Sequence, residues 1–217
     1  SNSQKIRVMS EAWTKNEIIC PACGEALENS PNNSKVLDFN CVSCDEEYEL
    51  KSKSGGFYTK VTDGGYASMM HRLTSSNSPH FFFMSYNLAK YKVNNFFVVP
   101  SYFLRPASIE KRKPLSTTAR RAGWVGCNIL LDQIPESGKI DYVKNGQFIS
   151  PDTVRRHWKR TAFLAETKSL ESRGWTVDVL GCIDRIGQSD FPLEHMYQFE
   201  AELAYRYPNN NFIKDKI

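Results

Sequence analysis

Two pairs of cysteines are the first residues in this chain whose type and spacing could do chemistry. Cys20-Pro21-Ala22-Cys23 and Cys41-Val42-Ser43-Cys44 each place two residues between the thiols, and seventeen residues separate the pairs. Two intervening residues let a tight turn aim both sulfurs at one point. Two such turns complete a tetrahedral shell, the pattern of a structural zinc site. Cys20, Cys23, Cys41 and Cys44 would fill all four positions, so the ion would be structural and not catalytic. Gly24 suits the backbone reversal after the first pair. Two redox CxxC pairs, or disulfides of a secreted domain, are the competing readings, and no basic-then-apolar leader supports secretion.

The second chemistry overlaps the first. Residues 35–40 and 47–53 both read as strands, with β-branched and aromatic residues alternating with polar ones. Residues two apart on a strand face the same side, so Glu49 and Lys51 point together. The knuckle at Cys41–Cys44 would turn the second strand back beside Asp38, giving Asp-x10-Glu-x-Lys. Asp38, Glu49 and the Leu50 carbonyl make an oxygen-rich site suited to Mg²⁺. Lys51 beside it could orient or deprotonate an attacking water, or stabilise charge building on phosphorus. Three solvated side chains on a half-exposed strand are the alternative, and taken alone the short pattern favours that alternative.

These groups need a scaffold. His80–Met84 and Asn95–Val99 are continuous apolar runs, the mark of strands covered on both faces, with 86–94 connecting them. Residues 127–134 and 140–143 read as further strands, and Asn145-Gly146 as a hairpin turn. Residues 4–19 carry Ile6, Met9 and Trp13 at helical spacing, predicting an amphipathic helix packed on the sheet. Asp63 is placed to cap a helix whose face is Tyr66, Met69, Met70 and Leu73, leaving His71 and Arg72 on its solvated side. From Pro151 the pattern turns helical: Val154, Trp158, Ala162 and Ala165 share one side, and Trp175, Val179, Cys182 and Ile183 repeat the spacing. A last helix should start with Pro192 in its first turn and run through Met196, Phe199 and Leu203, before a polar tail from 209.

Positive charge concentrates between 101 and 124, where Arg105, Lys111, Arg112, Lys113, Arg120 and Arg121 face a single acid, Glu110. Such a stretch suits phosphate contacts, although a solvated basic loop has the same composition. The net charge of +4 over 217 residues permits a nucleic-acid partner without demanding one. The length is enough for one generous domain with a proper core. No apolar run approaches a membrane span. Six cysteines, four of them in a metal pattern, fit a reducing cytoplasm, and Cys127 and Cys182 read as buried core thiols.

Asp38…Glu49-Leu50-Lys51, interleaved with the four cysteines, resembles the signature of PD-(D/E)XK nucleases, with Leu37 where the name has proline. The combination is similar to the DpnI-like, Dam-replacing family. The likeness continues through Glu49-Leu50-Lys51-Ser52-Lys53, Asp63-Gly64-Gly65-Tyr66-Ala67, His80-Phe81-Phe82-Phe83, Val93-Asn94-Asn95-Phe96, Thr118-Ala119-Arg120-Arg121-Ala122-Gly123-Trp124 and Ser172-Arg173-Gly174-Trp175-Thr176. The resemblance implies an α/β fold: a PD-(D/E)XK restriction-endonuclease-like core, a mixed central sheet flanked by helices, and an inserted zinc ribbon at about 20–44. It implies a type II, methyl-directed endonuclease of a restriction system. That enzyme would be a cytoplasmic monomer cutting double-stranded DNA at N6-methyladenine, with methylated GATC as the family precedent.

The catalytic residues would be Asp38, Glu49 and Lys51, with Mg²⁺ on Asp38, Glu49 and Leu50. The Trp124 indole would be part of the methyladenine pocket, since a flat apolar wall suits a methyl group, with Arg120, Arg121 and Lys53 on DNA. The family continues into a carboxy-terminal winged-helix domain. On this reading 1–217 is the nuclease domain and that second domain is absent. A non-catalytic reader of methylated DNA, and a nuclease of the same fold indifferent to methylation, remain open.

Overall fold

The Phe-rich runs at 80–84 and 95–99 pair to make the centre of the molecule. The structure is a computed structural model that describes residues 2–30, 37–57, 59–75, 78–167 and 169–217. Strands β5 (His80–Asn87) and β6 (Lys92–Val99) form an antiparallel hairpin whose turn is 88–91, shorter than the connection expected from sequence. Because side chains alternate, Phe82, Met84, Phe96 and Val98 enter one core with Tyr48, Tyr142 and Trp158. Phe81, Phe83 and Val99 enter another with Met69, Leu73, Phe103 and Ile129. The central sheet is therefore covered on both faces, as its unbroken apolar strands require.

Around this hairpin run β1 (Glu28–Asn29), β2 (Phe39–Asn40), β3 (Glu47–Ser54), β9 (Ile140–Lys144) and β10 (Gln147–Phe148). The order is β1-β2-β3-β5-β6-β9-β10, mixed because β3 lies parallel to β5 while the other pairs are antiparallel. Residues 35 and 36 of the first predicted strand lie outside the described residues. Asn145 and Gly146 both have positive φ and join β9 to β10 in the tight turn expected of that pair.

Of a second sheet, the sequence showed only the strand expected at 127–134. This sheet comprises β4 (Lys60–Gly65), β7 (Ile109–Lys111) and β8 (Gly126–Leu130), in the order β4-β8-β7. Strand β4 corrects the expected role of Asp63. The strand pairs Asp63 with Cys127 and runs on to Gly65, so helix α2 (Tyr66–Leu73) starts after Gly65 with no side-chain cap.

Helix α1 (Asn2–Glu17) forms and packs Trp13 on the sheet as expected, but its fully buried residues are not the ones named from sequence. Ser10 and Thr14 are its buried residues, while Met9 is 50% exposed. Small side chains let the helix approach β1 and β3 closely, and the Thr14 hydroxyl is satisfied by the Ser10 carbonyl at 2.8 Å. Trp13 packs on Phe96 and Phe148. Helix α3 (Pro151–Thr161) starts at the Ser150 cap and buries Val154 and Trp158; Ala165, expected on the same side, is exposed and Leu164 is buried instead.

Helix α4 (Leu170–Ile186) inserts Val177 into the core and is tied down through Asp178. That buried carboxylate accepts from Arg105, from Arg206 at 2.5 Å and from Tyr207 at 2.7 Å. The single last helix predicted from sequence is two, α5 (Glu194–Tyr197) and α6 (Glu200–Arg206), with Pro192 ahead of both. At the break the Gln198 side chain donates to the His195 carbonyl at 2.7 Å, competing with the helical ladder. The polar tail contains α7 (Ile213–Lys216), which buries Ile213 in a cluster with Cys182, Met196 and Leu203. Among the described residues no helix is long and apolar enough to cross a membrane.

Candidate active site and metal centre

The two cysteine knuckles repeat one backbone pattern. The Cys20 N–H donates to Glu25 O at 2.8 Å and Gly24 N–H to Cys20 O at 2.9 Å. Likewise Cys41 N–H donates to Glu46 O and Asp45 N–H to Cys41 O, both at 2.9 Å. Each turn needs a left-handed residue at the same place, supplied by Gly24 (φ +92°) and Asp45 (φ +58°), a residue whose short polar side chain tolerates that region. The turns aim all four sulfurs inward, within 4.8 Å of one another. Two contacts cross between knuckles, Cys20–Cys44 at 3.5 Å and Cys23–Cys41 at 3.4 Å, and none of the four is disulfide-bonded. Zinc with bonds of about 2.3 Å spaces tetrahedral sulfurs about 3.8 Å apart, so the donor set fits the ion in number, chemistry and spacing. The Tyr48 hydroxyl lies 3.2 Å from Cys20 Sγ, linking the centre to β3.

The second knuckle is the connection between β2 and β3, so it fixes where Asp38 sits relative to Glu49. Asp38 N–H donates to Tyr48 O at 3.0 Å, continuing the β2–β3 pairing by one residue. Its Oδ2 then accepts the Leu50 N–H at 2.7 Å, and Oδ1 the Arg7 guanidinium at 3.2 Å. On β3, Glu49 and Lys51 face the same way. Lys51 Nζ donates to Glu49 Oε1 at 2.5 Å and also to Asp63; Arg72 Nη1 holds Glu49 Oε2 at 3.0 Å. Asp38, Glu49, Leu50 and Lys51 line one groove of about 680 Å³, with Arg7 and Glu11 of α1 on its rim.

Burial raises the Asp38 and Glu49 carboxyls above their ordinary range; the Leu50 N–H and Arg7 oppose this at Asp38, as Lys51 does at Glu49. Burial would lower Lys51, but Glu49 and Asp63 outweigh it, and the net shift is upward. The lysine is therefore held as a cation. Two carboxylates raised by burial beside a groove gain from a divalent ion, which restores the charged form that desolvation disfavours.

The remaining predicted residues lie nearby. Lys53 is exposed on β3 and borders the same groove. Arg120 and Arg121 are exposed in the turns joining β7 to β8, a loop closed by Gly123 N–H to Leu115 O and Leu115 N–H to Trp124 O. Trp124 is half-buried. Its indole lies so close over Gly126 that a Cβ there would sit 2.9 Å from the ring, and Nε1 would be 3.7 Å from one at Gly65. Gly65 and Gly126 are cross-strand partners, so the flat floor under the ring is two glycines wide. The Arg121 guanidinium covers the ring at 4.9 Å. His71 is exposed, as expected, and Cys127 and Cys182 are buried.

Three residues escaped the sequence reading: Arg7, Arg72, read as solvated, and Asp63, read as a cap. The alternation of Lys60, Val61, Thr62 and Asp63 was the one local signal that Asp63 sits on a strand.

A model of the Dam-replacing family (DpnI) matches residues 1–167, well over half of the 217. The chain belongs to the Dam-replacing family. A model of the Dam-replacing HTH domain also matches residues 171–217. The helices from α4 onward, read from sequence as part of the nuclease domain, thus carry a likeness to the family's second domain. Membership of the Dam-replacing family brings restriction endonuclease activity as a class, hence nuclease chemistry and a divalent metal, and DNA as the partner.

Proposed function

We propose that this protein is a Mg²⁺-dependent endonuclease with a PD-(D/E)XK core, cutting double-stranded DNA at sites that carry N6-methyladenine. The observation that carries the reading is the meeting of Asp38, Glu49 and Lys51 in one groove of a Dam-replacing chain. Asp38 and Glu49, with the Leu50 carbonyl, would hold Mg²⁺, which supplies Lewis-acid activation of water and neutralises charge at phosphorus. Lys51 holds its ammonium toward the attacked phosphate and stabilises the oxyanion that develops there. Arg120, Arg121 and Lys53 contact DNA phosphates and set the register of the duplex. The Trp124 indole offers the methyl group an apolar wall. Zinc on Cys20, Cys23, Cys41 and Cys44 fixes β2 against β3. The enzyme acts as a type II, methyl-directed cytoplasmic monomer.

The test is a digest of one plasmid prepared with and without adenine methylation, with Mg²⁺ and with a chelator. The expected result is cutting of the methylated plasmid alone, in Mg²⁺ alone. Cutting of both plasmids would make the protein a methylation-indifferent nuclease; binding of the methylated one without cutting would make it a reader. In the same digest the Trp124→Ala protein should keep its chemistry but lose discrimination by about tenfold or more, since one methyl-sized contact contributes roughly 1–3 kcal/mol.

A further inference from the structure

Both oxygens of Glu49 are already bonded, Oε1 by Lys51 and Oε2 by Arg72. A divalent ion held by Glu49 must share or displace at least one of these cations. Lys51 is the one on the groove wall, so it is the one in the way. A lysine released from its only carboxylate would lose its place, because four rotatable bonds separate the ammonium from the backbone. This lysine has a second carboxylate. Asp63 reaches it from the other sheet, and its side chain is only 4% exposed. Its strand is pinned by the pairing of Asp63 with Cys127. Asp63 is not among the residues that wall the groove, so it holds the ammonium from behind, away from where a phosphate would lie.

We infer that Asp63 is the positioning residue of Lys51: its carboxylate keeps the ammonium at the groove wall when Glu49 turns to the metal. Asp63 touches neither DNA nor metal and acts only through Lys51. The inference rests on the reading of Asp38, Glu49 and Lys51 as the cleavage site, and it explains why a buried acid, costly when unpaired, stands where a neutral side chain would fill the same space.

The test is single-turnover cleavage of a methylated duplex by the Asp63→Asn protein, an isosteric change that removes the charge. Cutting at saturating Mg²⁺ should fall about 100-fold, the cost of misplacing a catalytic group by about an ångström. Duplex affinity measured in Ca²⁺ and the melting temperature should stay near those of the parent, which a purely structural role would not allow. A parental rate would overturn the inference. So would a loss confined to low Mg²⁺ and absent at saturation, since Asp63 would then be a metal ligand. Should Asp63→Asn fail to fold, Asp63→Glu takes its place: a rate down by about tenfold or more supports the inference and a parental rate overturns it. The Asp38→Ala protein separates the two claims. If it still cuts, the cleavage-site reading has failed; if it is dead while Asp63→Asn cuts normally, only this inference has.

Discussion

Replacing Asp38 by alanine should abolish DNA cleavage, a loss of about 1,000-fold or more, because it removes one of the two carboxylates that would hold the metal, a contribution of several kcal/mol. DNA binding should survive the change, since deleting an anion from a groove proposed to take phosphates weakens no contact to the duplex. Asp38 also has a structural duty: its Oδ2 accepts the Leu50 N–H at 2.7 Å. Alanine strands that donor at a cost of about 1–3 kcal/mol, so Asp38→Ala should melt below the parent. Asp38→Asn keeps an acceptor there and loses the charge. It should be equally inactive yet close to parental in melting temperature. Gel-shift binding, plasmid cleavage and thermal melts of the two variants check the three expectations together, and cleavage by either variant would argue against the assignment.

Removing the zinc that the four cysteines would hold should have the other large effect. Structural zinc contributes about 10–16 kcal/mol, comparable to the whole stability of about 5–15 kcal/mol expected of a domain. The knuckles are also the connection that holds Asp38 beside Leu50, so the site cannot outlast them. A zinc-selective chelator, or Cys41→Ser, should lower the melting temperature by roughly twenty degrees or more, given about 2–4 °C per kcal/mol at this size. Cleavage should stay lost when Mg²⁺ is restored in excess and return only with zinc. Circular dichroism melts of metal-stripped and zinc-repleted protein, with a digest of each, make the measurement. A redox-sensing thiol protein would instead keep its fold under chelation.

What could be read from the sequence was local. The cysteine knuckles follow from two-residue spacings and a residue that accepts positive φ. Glu49 and Lys51 share a face because they are two apart on one strand. The apolar runs at 80–84 and 95–99 could be little else than the covered centre of a sheet. What could not be read depends on which elements meet. Asp63 and Arg72 acquire their partners only when β4 and α2 pack against β3. In sequence, Asp63 before two glycines and an apolar helix face looks like a cap. Trp124 was visible as a residue, but its glycine floor exists only through the Gly65–Gly126 register. Periodicity chose the larger apolar residues of α1, whereas close approach to the sheet selected Ser10 and Thr14. At the break between α5 and α6 the Gln198 side chain folds back on the His195 carbonyl, a contact that periodicity does not show.

The most direct test of the whole account is a crystal of zinc-replete protein grown in Mn²⁺ and measured at the manganese edge. An anomalous peak within bonding distance of both the Asp38 and Glu49 carboxylates, with the Lys51 ammonium beside it, is the predicted result. Manganese bound elsewhere, with those two carboxylates turned apart, would contradict it.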